Sequence, residues 1–360
     1  MNLKEKIKEL PSSPGVYLMK DSLNIIIYVG KSKNLKNRVG SYFHNSKSHS
    51  PKVVKMVKNL KDFEYILTDT EFEAFMLECK LIKELKPMYN RQMKNPKSYS
   101  YIRIDTSKKY PSIDISNEFN KDDDSLHFGP YTSKNIIERA LQGIKEHYKL
   151  MCINNLQKSV SCLNYSLGLC IGPCLNEASK EQYLVILKKI IKLLNCSDKG
   201  IIFEMENKMN TLAENLNFEN AAKYRDYISA LNYIVDKNEI VEFIKENRNI
   251  ALLEYLNKDN LKFFLINRNK ILFNKTFNIK HLGFQQLKFI LKTNILSYFN
   301  NDSLENSIRI GKYEIDESQI IYTYLKSKYN NCKYIIVSEK LLNDVNDIDL
   351  DKELNKLLSI

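Results

Sequence analysis

The spacing of apolar and polar positions changes period several times along the chain, and each change marks an element. Two short apolar runs, 15–19 and 25–29, are rich in Val, Ile and Tyr and flank the turn formers Asp21-Ser22-Leu23-Asn24. They predict a β-hairpin whose strands each carry a tyrosine beside a glycine. Asn34 is placed to cap a helix over 35–43, on which Arg38 and Tyr42, four apart, share a face. Pro51 suits the first turn of a second helix, where Val53, Val54, Met56, Val57 and Leu60 alternate with lysines. A strand is expected at 63–67. Thr70-Glu71-Phe72-Glu73 is then a capping box opening a helix that must stop before Pro87. Its apolar stripe is Ala74, Leu77, Leu81, Ile82 and Leu85, with Glu78 in the middle and Lys80, Lys83 and Glu84 on the opposite side.

From Glu177 the period is helical. Ile202, Met205, Met209, Leu212 and Leu216 recur at helical spacing, and after Asn217 a further helix carries Ala221, Ala222, Ile228 and Leu231. The short turn between them predicts a helical hairpin. Beyond Asn238 the runs 250–255, 261–267 and 271–277 read as a strand meander, followed by helices at 284–299 and 319–328 and a strand at 334–337.

Composition narrows the function. A length of 360 residues predicts two or three domains, and 43% hydrophobic with 27% charged residues fits an ordinary globular protein. No run of about 18 apolar residues predicts a membrane span. The N-terminus has no apolar h-region, so the cytoplasm is the default. A net charge of +12 favours a nucleic-acid partner, although abundant Lys, Asn and Ile also fit a compositional bias.

Three features carry candidate chemistry. Glu78 puts a carboxylate on an apolar stripe, which is costly unless it is paired or binds a divalent cation through its hard oxygens. The lysines between Lys47 and Lys61, among them Lys52, Lys55 and Lys58, form either a solvated face or a surface for the DNA backbone. Of seven cysteines, Cys152, Cys162, Cys170 and Cys174 cluster in a loop-rich stretch able to hold tetrahedral zinc or an iron–sulfur cluster. Cys79, Cys196 and Cys332 stand singly, as small buried hydrophobes do.

Pro14-Gly15-Val16-Tyr17, Tyr28-Val29-Gly30-Lys31, the spacing to Arg38 and Tyr42, Leu77-Glu78 and Pro87-Met88-Tyr89-Asn90 together resemble a GIY-YIG nuclease domain, in the form found in the UvrC family of bacterial nucleotide excision repair. Lys97-Ser98-Tyr99-Ser100-Tyr101-Ile102, Phe128-Gly129-Pro130-Tyr131 and the four-cysteine element are similar to the same family. The string from Leu216 through Phe218, Glu219, Ala221, Ala222, Arg225 and Asp226 to Ile228 resembles the UVR motif, through which UvrC docks on UvrB.

The resemblance implies an α+β chain with a GIY-YIG α/β nuclease domain at 11–91 and a four-cysteine element within 92–176. A helical connector at 177–200, a UVR helical hairpin at 201–237 and a mixed α/β region at 238–360 complete it. The last region resembles the stretch preceding the RNase-H-like domain of UvrC, so the chain is expected to lack that domain and the helix-hairpin-helix unit. The expected activity is incision of damaged double-stranded DNA on the 3′ side of a lesion, in a complex with UvrB and with UvrA acting upstream, and without a membrane. In that scheme Tyr28 is the general base, with Lys31 lowering its phenol pKa, and Arg38 binds phosphate oxygens. Tyr17 and Tyr42 position the phenol or the phosphate, Asn90 supports the site, and Glu78 binds Mg²⁺ or Mn²⁺. The family points to a four-iron four-sulfur cluster on Cys152, Cys162, Cys170 and Cys174. It points to Leu216, Phe218, Glu219, Ala222, Arg225 and Asp226 as the docking residues. A non-catalytic UvrB adaptor and a stand-alone nuclease of a mobile element are the other readings.

Overall fold

A computed structural model describes residues 3–43, 50–90, 99–107, 110–118, 124–150, 163–300, 314–327, 331–342 and 348–358. The chain forms two compact units, Met1–Pro96 with Phe243–Ile360, and Lys97–Glu242.

The N-terminal part of the first unit runs α1 (Leu3–Lys8), β1 (Gly15–Lys20), β2 (Ile26–Ser32), α2 (Leu35–Ser41), α3 (Pro51–Asn59), β3 (Asp62–Leu67) and α4 (Glu71–Leu85). The predicted hairpin is β1–β2, and β3 joins the other edge of β1 to give the order β2-β1-β3, all antiparallel. Asp21 closes the turn by accepting from the backbone N–H of Leu23 and Ile25. Strand alternation then sorts the side chains. Tyr17, Met19 and Phe63 face Leu35, Val39 and Met56, whereas Val16, Leu18 and Val29 face Ala74 and Ile82 of α4. Asn34 caps α2 through Asn37 N–H as expected, but the helix ends at Ser41, leaving Tyr42 as its C-cap. The capping box of α4 is present on both sides.

The second unit holds β4 (Ser100–Asp105), β5 (Ser112–Ser116) and β6 (Leu126–Tyr131), then α5 (Lys134–His147), α6 (Leu163–Ser166), α7 (Glu177–Leu194), α8 (Gly200–Glu214) and α9 (Phe218–Lys245). The sheet order is β5-β4-β6, and these strands are not among the predicted elements. α8 and α9 meet at the expected turn, where Leu216 takes a φ of 56°. They do not stand alone: Ile202, Met205, Tyr227 and Leu231 share a core with Ile137 and Ile144 of α5 and Ile186 and Ile190 of α7.

The first unit resumes with β7 (Asn249–Tyr255), β8 (Asn260–Asn267), β9 (Lys270–Asn278), α10 (Phe284–Asn300), α11 (Glu314–Lys326), β10 (Cys332–Val337), α12 (Glu339–Leu342) and α13 (Ile348–Leu358). The antiparallel sheet has the order β10-β7-β8-β9. Its central strands β7 and β8 read as near-continuous apolar runs because both of their faces are covered. Leu253, Phe263 and Leu265 pack on Leu291 and Ile295 of α10 and Leu354 of α13. Leu252, Phe264 and Ile266 pack on Ile321 and Tyr324 of α11 and on Phe72 and Cys79 of α4.

Helix α4 is therefore buried on two sides, which a single stripe does not describe. Ala74 and Ile82 of the predicted stripe meet β1 and β2, but Leu85 is 43% exposed. On the opposite side Lys80 and Glu84 are exposed, but Lys83 is covered. Lys83 lies there with its side chain 12% exposed, 2.6 Å from Glu317 of α11.

Candidate active site

The register of the hairpin pairs Tyr17 with Gly30 across β1 and β2. A Cβ on Gly30 would overlap the Tyr17 phenol and lie 2.9 Å from its Cε2. Glycine is required there because the Tyr17 ring lies across the β2 backbone. Met19 pairs with Tyr28, which puts Tyr28 on the same face. On that face the Tyr17 and Tyr42 hydroxyls are 2.7 Å apart, and the Tyr28 ring lies 6.1 Å from Tyr17 and 6.5 Å from Tyr42. The Arg38 guanidinium, one helical turn before Tyr42, sits 5.2 Å from the Tyr42 ring. Lys52 of α3 approaches the Tyr28 ring at 5.8 Å. Tyr28, Arg38, Ser41, Tyr42, Ser50 and Lys52 line an open cavity of about 220 Å³.

The outer edge of β2 is closed by groups from elsewhere, since an edge strand otherwise leaves its N–H and C=O groups unpaired. Ile27 C=O accepts from Tyr89 N–H at 2.9 Å. Val29 is bracketed by Asn90, whose Oδ1 accepts from Val29 N–H and whose Nδ2 donates to Val29 C=O, both at 2.9 Å. Lys31 N–H donates to Glu78 Oε1 at 3.0 Å. Asn90 and Glu78 thus satisfy successive outward positions of the strand that carries Tyr28. Asn90 is buried and supports the strand rather than lining the cavity.

Electrostatics correct one expectation. The Tyr28 phenol is held well above its ordinary pKa, by burial first, then by Tyr42 and by the Glu78 charge, with Arg38 opposing. Tyr17 is raised for the same leading reason, burial. Lys31 does not lower Tyr28. The two residues are three apart in a strand and so project to opposite faces. The Lys31 ammonium instead pairs with Glu71 at 2.7 Å and lies 3.3 Å from the centre of the Phe75 ring. Burial also pushes the Glu78 carboxyl up, against the Lys31 backbone bond and the Lys31 and Arg38 charges. Arg38 is raised: burial acts to lower it, but the tyrosines around it outweigh that.

The sequence-predicted Tyr17, Tyr28, Arg38 and Tyr42 are brought together, with Glu78 at the end of β2 and Lys52 above Tyr28. Lys55 and Lys58 are exposed along α3. Glu71, the partner of Lys31, was not foreseen. Its signal is the seven-residue spacing to Glu78, which places both on one helix face. In the cysteine element, Cys170 is buried, Cys174 is half-buried, and Gly172 N–H donates to Cys170 Sγ at 3.4 Å. Cys152 and Cys162 lie outside the described residues. Among the described residues no three His, Cys, Asp or Glu side chains gather as a metal site. At the hairpin tip Leu216 and Phe218 are 74% and 63% exposed. Glu219 is exposed nearby, Ala222 is half-buried, and Arg225 pairs with Asp226 at 3.0 Å in the open.

Residues 13–91 match a family described as the UvrC-like GIY-YIG domain, 99–193 the UvrC/Cho excinuclease middle domain, and 199–234 the UvrB/uvrC motif. The UvrABC system protein C of Alkaliphilus oremlandii is 36% identical over 94% of this chain and 56% of its own length. That of Thermoanaerobacter sp. is 32% identical over 99% of this chain and 61% of its own. The GIY-YIG N-terminal endonuclease domain of UvrC from Thermotoga maritima, solved with magnesium as its catalytic divalent cation, is 38% identical. It covers 25% of this chain and all of that one, with a TM-score of 0.23. The chain spans a little over half the length of the curated relatives it matches. With its nuclease-like, middle and UVR segments in the order of that family, the chain belongs to the UvrC family.

Proposed function

We propose that the chain is a metal-dependent DNA endonuclease of nucleotide excision repair, hydrolysing a phosphodiester on the 3′ side of a lesion presented by UvrB. The convergence of Tyr28, Tyr42 and Arg38 on one cavity, with Tyr17 hydrogen-bonded to Tyr42 behind them and Glu78 near enough for its charge to act on Tyr28, carries this reading. Arg38 offers a guanidinium for non-bridging phosphate oxygens, the geometry for which that group is best suited. The Tyr17–Tyr42 hydroxyl pair orients Tyr28 and the phosphate. Tyr28 keeps its proton at neutral pH, so it acts as a base only in the fraction that has become phenolate.

Glu78 fits a divalent cation. It is a hard oxygen donor, and among the described residues it accepts from the Lys31 backbone N–H with no ammonium or guanidinium in contact with its charge. Mg²⁺ or Mn²⁺ held there supplies Lewis-acid polarisation and stabilises charge on the leaving oxygen. Lys52, Lys55 and Lys58 extend the basic surface along α3 toward the DNA backbone, so binding should weaken steeply with salt.

The exposed Leu216 and Phe218, flanked by Glu219, Ala222, Arg225 and Asp226, form the docking surface for UvrB. A four-iron four-sulfur cluster on Cys152, Cys162, Cys170 and Cys174 is the preferred reading of the cysteine element, with zinc as the alternative. The N–H bond from Gly172 to the Cys170 sulfur suits a thiolate ligand. Iron, sulfide and zinc analysis of anaerobically purified protein separates the two.

The test is incision of a lesion-bearing duplex with Mg²⁺ or Mn²⁺, with and without UvrA and UvrB. A cut made only with both partners, and lost in Arg38→Ala and Glu78→Ala, is expected. A cut without them assigns a stand-alone nuclease, and binding without a cut assigns an adaptor.

A further inference from the structure

Among the described residues, the C-terminal part of the first unit shows no catalytic constellation of its own, yet it is built onto the helix that bears Glu78. Lys262 of β8 has a side chain only 6% exposed, with its ammonium 2.7 Å from Asp69 and 2.8 Å from Glu73. Thr276 of β9 donates to the same Asp69 oxygen at 2.7 Å. Glu73 is the third residue of the α4 capping box, and its other oxygen accepts from the backbone N–H groups of Asp69 and Thr70. Lys262 therefore grips the cap of α4 itself. Phe72, fully buried, stacks on Tyr324 at 4.7 Å and meets Phe264 edge-on at 5.2 Å. Cys79, next to Glu78, is fully buried in the same core. At the far end Lys83 pairs with Glu317.

A lysine buried between two carboxylates is a costly way to hold two surfaces together, and apolar residues of similar volume often do so as well or better. What the charged arrangement adds is position. Apolar packing tolerates small sliding of a helix, whereas an ammonium shared by the N-cap loop and the third helical residue fixes both axial position and rotation. Glu78 follows Glu73 by five residues on a continuous helix and must meet Lys31 N–H at the end of β2.

We infer that Lys262 is a positioning residue for the nuclease site: the β7–β10 sheet holds the α4 cap so that Glu78 stays on the edge of β2 beside Tyr28. The inference rests on the nuclease reading above. It assigns the β7–β10 sheet a role in setting the geometry around Glu78, which precedes Lys262 by 184 residues.

The test uses the full chain with Lys262→Met, Lys262→Arg and, as a milder variant, Thr276→Val. Residue-resolved amide exchange is followed at Lys31, whose N–H is held by Glu78, and at Val29, whose N–H is held by Asn90. In Lys262→Met, exchange at Lys31 is expected to quicken by about tenfold or more while Val29 is unchanged, with Mn²⁺ affinity and incision falling together. Lys262→Arg restores both, and Thr276→Val moves Lys31 alone to a smaller extent. Unchanged exchange at Lys31, or equal acceleration at Lys31 and Val29, overturns the inference, since the second is general loosening. If Lys262→Met does not fold, the same comparison in Thr276→Val decides. A wild-type chain that shows no incision defeats the nuclease reading, while the exchange ratio still decides whether Lys262 positions Glu78.

Discussion

The backbone N–H of Lys31 donates to Glu78 Oε1 while its ammonium pairs with Glu71, so one strand residue holds two carboxylates two helical turns apart. The ammonium that one expects to serve the phenol serves the helix instead. Glu78 is left with a raised pKa and a backbone partner, which is the state of a carboxylate that gains by binding a cation.

Glu78→Gln separates charge from shape. A carboxyl raised on folding contributes stability that is fully present below its unfolded value of about 4.5 and is lost as pH rises through the higher folded value. At neutral pH without metal, Glu78→Gln is therefore expected to melt at or above the wild type, because glutamine still accepts the Lys31 N–H. Mn²⁺ at about a hundred times its dissociation constant stabilises the wild type by about 2.7 kcal/mol and leaves the variant unmoved. Thermal melts with and without Mn²⁺ at pH 4 and pH 7 check both halves. A variant stabilised by Mn²⁺ as much as the wild type is shows that the cation sits elsewhere.

Gly30→Ala drives a methyl group into the Tyr17 ring, against a phenol already tied to Tyr42. Overpacking of this kind costs about 1–3 kcal/mol. The shift that relieves it moves Tyr17 away from Tyr42 and Tyr28, so incision is expected to fall further than stability does. Urea unfolding beside single-turnover incision gives the two numbers. A variant of normal activity shows that the tyrosine cluster tolerates displacement.

The hairpin, the capping box and the Glu78 stripe were legible because each depends on local spacing. Strand alternation also tells that Tyr17 and Tyr28 share a face, since the register pairs Tyr17 with Gly30 and Met19 with Tyr28. The same alternation puts Lys31 on the other face, and proximity in sequence obscured it. The second buried side of α4 was not legible. Phe72 and Cys79 find their partners on Phe264 and Tyr324, between 185 and 252 residues away, and nothing in the local period announces them. Lys262 was hidden for a related reason, because a lysine in an apolar strand reads as an outward position until Asp69 and Glu73 are seen beside it.

The raised phenol of Tyr28 gives a kinetic signature. Below its pKa the phenolate fraction grows tenfold per pH unit, so a rate limited by Tyr28 acting as base rises with a slope of about one on a logarithmic scale. Single-turnover incision at saturating Mn²⁺ is expected to show that slope between about pH 6 and pH 9. A flat profile in that window means that the phenol donates a hydrogen bond without taking a proton.

The docking surface proposed for UvrB is open to a test that leaves the fold alone. Leu216 and Phe218 are 74% and 63% exposed at the turn between α8 and α9, so the core of the second unit does not depend on them. Substituting such positions usually moves stability by no more than about 0.5 kcal/mol. At an interface, an exposed aromatic anchor typically accounts for 2 kcal/mol or more, which is about thirtyfold in affinity. Leu216→Ser with Phe218→Ser is therefore expected to keep the melting temperature and to weaken UvrB binding by about that factor, read by titration calorimetry. Incision in the presence of UvrA and UvrB should fall in proportion and recover at high protein concentration. An unchanged affinity for UvrB places the docking surface on another part of the chain.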